Sequence, residues 1–157
     1  MIRLLIMDVD GTLTDGGIYL DCIGNEMKRF DVKDGAGIKQ IQKIGVETML
    51  LTGRESKCVT ERGRELAIEY VFQGIKDKKK FLKEFSEKYN ISLENMAYIG
   101  DDYNDLESMK LVGYTACPSD ASQEVKDTVN YVCSKQGGYG AVREYVDYII
   151  KEIYFKG

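Results

Sequence analysis

Apolar positions along the chain fall into short, nearly unbroken runs separated by longer stretches with a helical period. Leu4 to Val9, Val46 to Leu51, Tyr70 to Phe72, Met96 to Ile99 and Tyr114 to Cys117 are such runs, with Tyr131-Val132 a shorter one. Little polar alternation interrupts them, as expected of parallel strands buried on both faces. Between them apolar residues recur every three or four positions: Ile38, Ile41 and Ile44; Val59, Leu66 and Ala67; Phe81, Leu82 and Phe85; Leu106, Met109 and Leu111; and Val142, Tyr145, Val146, Ile149, Ile150 and Ile153. These predict a helix from Asp34 to about Ile44 closed by Gly45, one from about Glu55 to Leu66, one capped by Asp77 and running to Tyr89, one after Asn104, a small one near 121–126, and a last one after Gly137-Gly138-Tyr139-Gly140.

Strands alternating with helices predict an α/β fold, a three-layer Rossmann-like sandwich around a mostly parallel central sheet. One segment departs from the alternation. Ile18 to Leu20 and Met27 to Val32, around a turn at Gly24-Asn25, read as a β-hairpin after the first strand. Ile18 and Leu20 oppose Tyr19, so both faces are partly apolar, and either the same domain or a neighbouring subunit is expected to cover it.

At 157 residues the chain fits a single domain, 1–157, with no room for a second. A net charge of -4 argues against nucleic acid as partner. No apolar stretch is long enough for a membrane span, and the chain runs directly into its first strand, so a cytoplasmic protein is expected. Cys22, Cys58, Cys117 and Cys133 lie singly, without metal or redox spacing, and read as free buried or half-buried thiols. The absence of histidine excludes an imidazole base and a histidine-ligated metal. Carboxylates, lysine and hydroxyls are left to carry any chemistry.

Those groups cluster at strand ends: Asp8-Val9-Asp10-Gly11, Thr52-Gly53-Arg54 and Gly100-Asp101-Asp102-Tyr103-Asn104-Asp105. In a parallel sheet these ends share one rim. Lys78, Lys79 and Lys80 fall in the first turn of their helix, where cations oppose the helix dipole, so local helix stability does not account for them; Lys79 and Lys80 read as solvated, and Lys78 is favoured as the lysine that neutralises the acids. So many carboxylates in one volume repel by several kcal/mol unless a cation joins them. An all-oxygen donor set fits Mg2+ best, with Ca2+ and Mn2+ weaker fits. The Thr52 hydroxyl, the Gly53 amide and the Lys78 ammonium suit a phosphate. Asp8 is placed to attack its phosphorus, with Asp10 protonating the leaving oxygen and later deprotonating water. Plainer readings stand beside these: turn-forming Asp and Gly at a strand end, Asp102 as a helix cap, Arg62 as a solvated helix residue, Arg143 as a surface ion pair.

Asp8-Val9-Asp10-Gly11-Thr12, Leu51-Thr52-Gly53, Lys78 and Gly100 to Asp105, in that order, resemble the four motifs of haloacid dehalogenase superfamily phosphatases. The resemblance implies Asp8 as nucleophile, Asp10 as acid and base, Thr52 and Lys78 as phosphate binders, and Asp101 as a ligand of Mg2+ alongside Asp8 and the Asp10 carbonyl. Longer stretches, Thr12 to Gly17, Phe30 to Gly35, Leu51 to Arg54, Tyr98 to Asp102 and Gly137 to Glu144, resemble the capless family of 3-deoxy-D-manno-octulosonate 8-phosphate phosphatases almost end to end. That family implies a homotetramer in which a neighbour's hairpin and glycine-rich tail close each site. It implies a sugar acid phosphate bound by Asp31, Val32, Lys33, Asp34, Gly35, Gly53, Arg54, Arg62 and Asn104, with Asp102 and Asp105 supporting. Asp31 stands where relatives commonly carry Asn, and Arg54 where the branch acting on nine-carbon sialate-type 9-phosphates tends to carry Glu. Two other classes differ in their implications. A receiver domain carries its acceptor Asp on a middle strand, where this chain has Thr52-Gly53, and a silent tetramerisation module has no need of an intact motif set.

Overall fold

The computed structural model describes residues 1–154, except for the side chain of Ile153. Six strands form one sheet: β1 Leu4–Met7, β4 Glu47–Leu51, β5 Tyr70–Phe72, β6 Met96–Ile99, β7 Tyr114–Cys117 and β8 Tyr131–Val132, in the order β5-β4-β1-β6-β7-β8. All pairings are parallel. β1 lies at the centre, with Ile6 beside Met49 on one flank and Tyr98 on the other.

Successive β1 side chains point to opposite faces, and both faces are covered. Leu5 and Met7 join Ile38 and Ile41 of helix α1 (Val32–Lys43) and Val142, Tyr145 and Val146 of α6 (Ala141–Tyr148). Leu4 and Ile6 join Leu82 and Phe85 of α3 (Lys78–Tyr89), Met109 of α4 (Tyr103–Met109) and Val125 of α5 (Gln123–Thr128). Each such side chain contributes about 1.5–3 kcal/mol on burial, which fixes the direction in which β1 delivers Asp8 and Asp10. The three-layer α/β expectation is met. No helix among the described residues is long and apolar enough to cross a membrane.

The differences in detail have local causes. The hairpin pairs only β2 (Tyr19–Leu20) with β3 (Glu26–Met27), followed by an isolated Thr14–Phe30 bridge. The expected strand to Val32 stops early because the Asp31 carboxylate accepts the Lys33 amide and starts α1 two residues sooner than the Asp34 start read from the sequence. Ser56 likewise caps α2 (Lys57–Glu65), which begins after Glu55. Ile44 and Ala67 fall just beyond helix ends and are exposed rather than inward, Ala67 with φ of 51°. Leu111 is half-buried, and Cys22 is exposed at the hairpin tip. The last helix continues as a π-helical turn, Ile149–Tyr154, and the expected place of the Ile153 side chain lies outside the described residues. Ile18, Leu20, Ile23 and Met27 of the hairpin are 57–80% exposed, so nothing in the described chain covers them.

Candidate active site

The ends of β1, β4 and β6 open into a cleft of about 380 Å³ lined by Asp8, Asp10, Thr52, Gly53, Arg54, Asp101, Asp102, Tyr103 and Asn104. Three parallel strands ending at one rim account for this gathering. Lys78 enters from the first turn of α3, its side chain 1% exposed, and its Nζ donates to Asp8 Oδ1 at 3.0 Å and Asp105 Oδ1 at 2.8 Å.

Asp105 is engaged on all sides. Its Oδ1 also accepts the Tyr98 hydroxyl at 2.6 Å, and its Oδ2 accepts the amides of Asp101 and Asp102 at 3.1 and 3.4 Å. Burial, reinforced by Asp105, raises the Tyr98 pKa well above the ordinary value and keeps that hydroxyl a donor. A carboxylate offers about four acceptor positions. Asp105 has spent them on the framework, where it orients Lys78 and closes the capping box of α4 with Asp102. Asp8 and Asp101 remain open to the cleft.

One oxygen from each of Asp8, Asp101 and Asp105 fits within 4.8 Å of the others, against a single ammonium. Burial, then the Asp105 charge, raises the Asp8 pKa well above the usual carboxylate range despite Lys78. Asp101 is pushed up to about 6, by burial first, with the Thr12 hydrogen bond opposing and Asp105 reinforcing. The cluster is short of positive charge and built only of hard oxygen donors. This donor set fits a magnesium ion, and of its members Asp8 and Asp101 have oxygens left to hold it.

The loop after β1 is shaped around Asp101. Thr12 Oγ1 donates to Asp101 Oδ1 at 2.8 Å, and Gly11, at φ of 84°, leaves the space that a Cβ would take from the Asp101 carboxylate. Thr14 Oγ1 accepts the amides of Gly11 and Gly16 and closes the loop. The glycine-rich segment before α6 is seated on this loop. Gly137 and Gly138 are buried, the Gly138 amide donates to the Thr12 carbonyl at 3.1 Å, and a Cβ on Gly137 would overlap the Gly11 carbonyl.

Asp31, Val32, Lys33, Asp34, Gly35 and Arg62 do not line the cleft. Asp31 caps α1, Val32 is 81% exposed, and Lys33 lies on the surface near Arg143. Asp34 is buried and accepts the Arg143 amide at 2.9 Å. Gly35 packs on Arg62, whose guanidinium pairs with Glu65 and the Asp31 carbonyl and lies 5.6 Å from the Phe30 ring. Five residues given no role in the sequence reading matter to the cleft: Thr12, Thr14 and Tyr98, which stood inside its motif stretches, and Glu26 and Lys28, which did not. Period-two alternation was the available signal for Glu26 and Lys28, since positions 26, 28 and 30 share one face of an extended segment.

Comparisons with known proteins agree with this geometry. The family model of haloacid dehalogenase-like hydrolases matches residues 64–145, just over half of the chain. The 3-deoxy-D-manno-octulosonate 8-phosphate phosphatase of Escherichia coli is 41% identical over 149 residues, covering 95% of this chain and 79% of the relative. Among solved structures, the 3-deoxy-D-manno-octulosonate 8-phosphate phosphatase of Moraxella catarrhalis, in complex with magnesium ion, phosphate ion and KDO, superposes with a TM-score of 0.93. It is 38% identical, over 96% of this chain and 86% of that one. The cobalt-bound form of the Haemophilus influenzae deoxy-D-mannose-octulosonate 8-phosphate phosphatase has a TM-score of 0.91 at 37% identity, over 96% and 88%. The acids at the ends of β1 and β6, the buried lysine between them and these likenesses lead to one conclusion: the chain belongs to the haloacid dehalogenase-like hydrolases, in the family of 3-deoxy-D-manno-octulosonate 8-phosphate phosphatases.

Proposed function

We propose that the protein hydrolyses 3-deoxy-D-manno-octulosonate 8-phosphate to the free sugar acid and phosphate, with Mg2+ as cofactor and Asp8 as nucleophile. The observation that carries this is the buried Asp8–Lys78–Asp105 cluster at the floor of a cleft walled by Asp10, Thr52 and Asp101. The identity to the Escherichia coli enzyme supports the eight-carbon substrate. Arg54, 47% exposed along the cleft wall, suits the carboxylate of the sugar acid.

Thr52, the Gly53 amide and Lys78 bind the phosphate oxygens. An Asp8 oxygen forms a bond to phosphorus as the bond to the sugar oxygen breaks, and Asp10 gives that oxygen a proton. Asp10 then takes a proton from water as it attacks the aspartyl phosphate, releasing phosphate and restoring Asp8. Bound Mg2+ supplies charge neutralisation of the carboxylates and phosphate oxygens. Burial of Lys78 keeps its charge unscreened where it acts, and positioning of these groups carries the catalysis.

The wider readings belong to the same proposal. The chain acts as one domain in the cytoplasm, and assembly into a homotetramer is supported by the uncovered apolar side chains of the hairpin. In that assembly Asp31, Val32, Lys33 and Arg62, which stand outside their own cleft, are candidates to meet substrate at a neighbour's, whereas Asp34 and Gly35 are buried within their own protomer.

The test is a screen of phosphate release from octulosonate 8-phosphate, nine-carbon sialate-type 9-phosphates and hexose phosphates, with and without EDTA. The eight-carbon ester is expected to rank first, and only with metal present. A higher rate on the nine-carbon esters moves the assignment to that branch. A stable phosphoprotein without turnover points to a receiver, and no release from any ester to a silent module.

A further inference from the structure

The return strand of the hairpin carries a partly buried ion cluster that the reaction scheme leaves unused. The Thr14–Phe30 bridge lays residues 26–30 beside the loop after β1. From there Lys28 Nζ reaches Asp10 Oδ1 at 2.5 Å and Glu26 Oε1 at 2.8 Å, its side chain 2% exposed. The Asp10 side chain, by contrast, is 26% exposed and faces the cleft. The lysine therefore holds the carboxylate from behind, on the side away from substrate, without lining the cleft itself.

Stability is a weak reason for a lysine here. A partly buried ion pair contributes little net stability, because desolvating the charges offsets their attraction. Burial works against the Lys28 charge, and the bonds to Asp10 and Glu26 outweigh it, so the ammonium stays protonated. What the contact does achieve is geometric. Asp10 lies in a glycine-flanked loop, and a carboxylate free to rotate there loses the alignment that proton transfer requires.

Resting on the phosphatase reading above, we propose that Lys28 is a positioning residue for the acid–base carboxylate: it fixes one Asp10 oxygen and so leaves the other aimed at the ester oxygen of the bound phosphate. The proton travels from that free oxygen to the ester oxygen as the phosphorus–oxygen bond breaks, and Lys28 keeps its own protons throughout. Glu26 anchors the lysine, which makes the hairpin part of the catalytic apparatus as well as an exposed apolar surface.

The experiment compares Lys28→Met with wild type on two esters by kcat/KM, which reports the first phosphoryl transfer alone. The sugar acid leaves octulosonate 8-phosphate as an alkoxide and needs the proton; nitrophenol leaves p-nitrophenyl phosphate as a stable phenolate and does not. The expected result is a loss of about tenfold or more on the sugar ester and less than roughly threefold on the aryl ester, with crystals of the variant showing Asp10 rotated. Equal losses on both esters, or none on either, overturn the inference. So does an Asp10 that keeps its rotamer in Lys28→Met crystals, whatever the rates. Lys28→Gln, which retains a donor, serves if the methionine variant does not fold and is expected to show the same ester dependence at smaller size. Wild-type protein inert towards both esters refutes the phosphatase reading itself and is read separately from the Asp10 rotamer.

Discussion

Asp34 is the most informative single side chain for the architecture, because its ionisation is set against the packing of α1 on α6. It is 1% exposed. Its Oδ1 accepts the Arg143 amide at 2.9 Å and so caps α6, whose own N-cap, Gly140, has no side chain to do it. Among the described residues its Oδ2 has no hydrogen-bond partner. Burial raises the Asp34 pKa from 3.8 to about 6, the Arg143 and Gly140 amides and the Arg62 charge opposing and Asp31 reinforcing. The folded state thus holds this proton more tightly than the unfolded chain. The contribution is fully present below the unfolded pKa and is lost as pH rises through the folded one. Roughly two units at about 1.4 kcal/mol each give about 3 kcal/mol across that window. Asp34→Asn keeps the Oδ1 acceptor and removes the titration. Urea unfolding of the two proteins at matched pH isolates the effect, since every other carboxylate is common to both. The free-energy gap is expected to move by about 2 kcal/mol in favour of wild type between pH 7 and pH 4, the rest of the contribution appearing only below the unfolded pKa. A gap that stays constant over that range refutes the reasoning.

Lys78→Met leaves Asp8 and Asp105 buried without their cation; we expect a loss of about 3–5 kcal/mol in metal-free urea unfolding and of at least about a hundredfold in kcat. Near-wild-type values of both would remove the lysine from the account. Gly137→Ala puts a methyl group into the Gly11 carbonyl, backbone against backbone, and is expected to cost about 1–3 kcal/mol and displace the loop carrying Asp10. An unchanged melting temperature and rate would contradict that contact. Arg54→Met is expected to raise KM for the sugar acid ester about tenfold, roughly 1.4 kcal/mol, and to leave the aryl ester unaffected. Equal effects on both esters would deny it a role in carboxylate recognition.

Much of the site was legible because unbroken apolar runs place parallel strands, and parallel strands bring their ends together. Asp8, Thr52 and Asp101 needed nothing beyond that, and Lys78 was one of three lysines, with Lys79 and Lys80, at the wrong end of a helix. What stayed hidden depends on contacts between segments distant in sequence. Nothing near Asp34 announces that it caps a helix more than a hundred residues later. Gly137 and Gly138 resemble a flexible linker until the Thr12 carbonyl is seen against them. Lys28 was obscured by reading the return strand through to Val32, when Asp31 ends it by starting α1. Asp105 looked like one more acid of the cluster, and only its four hydrogen bonds show that it belongs to the framework.

The central claim is that Asp8 carries the phosphoryl group between substrate and water. Acid-quenching the magnesium-loaded protein during turnover of octulosonate 8-phosphate labelled in its phosphate, followed by peptide mapping, tests it directly. Label on the peptide containing Asp8, absent from Asp8→Asn, is the predicted result. Steady turnover with no labelled protein, or with label on another residue, would contradict it.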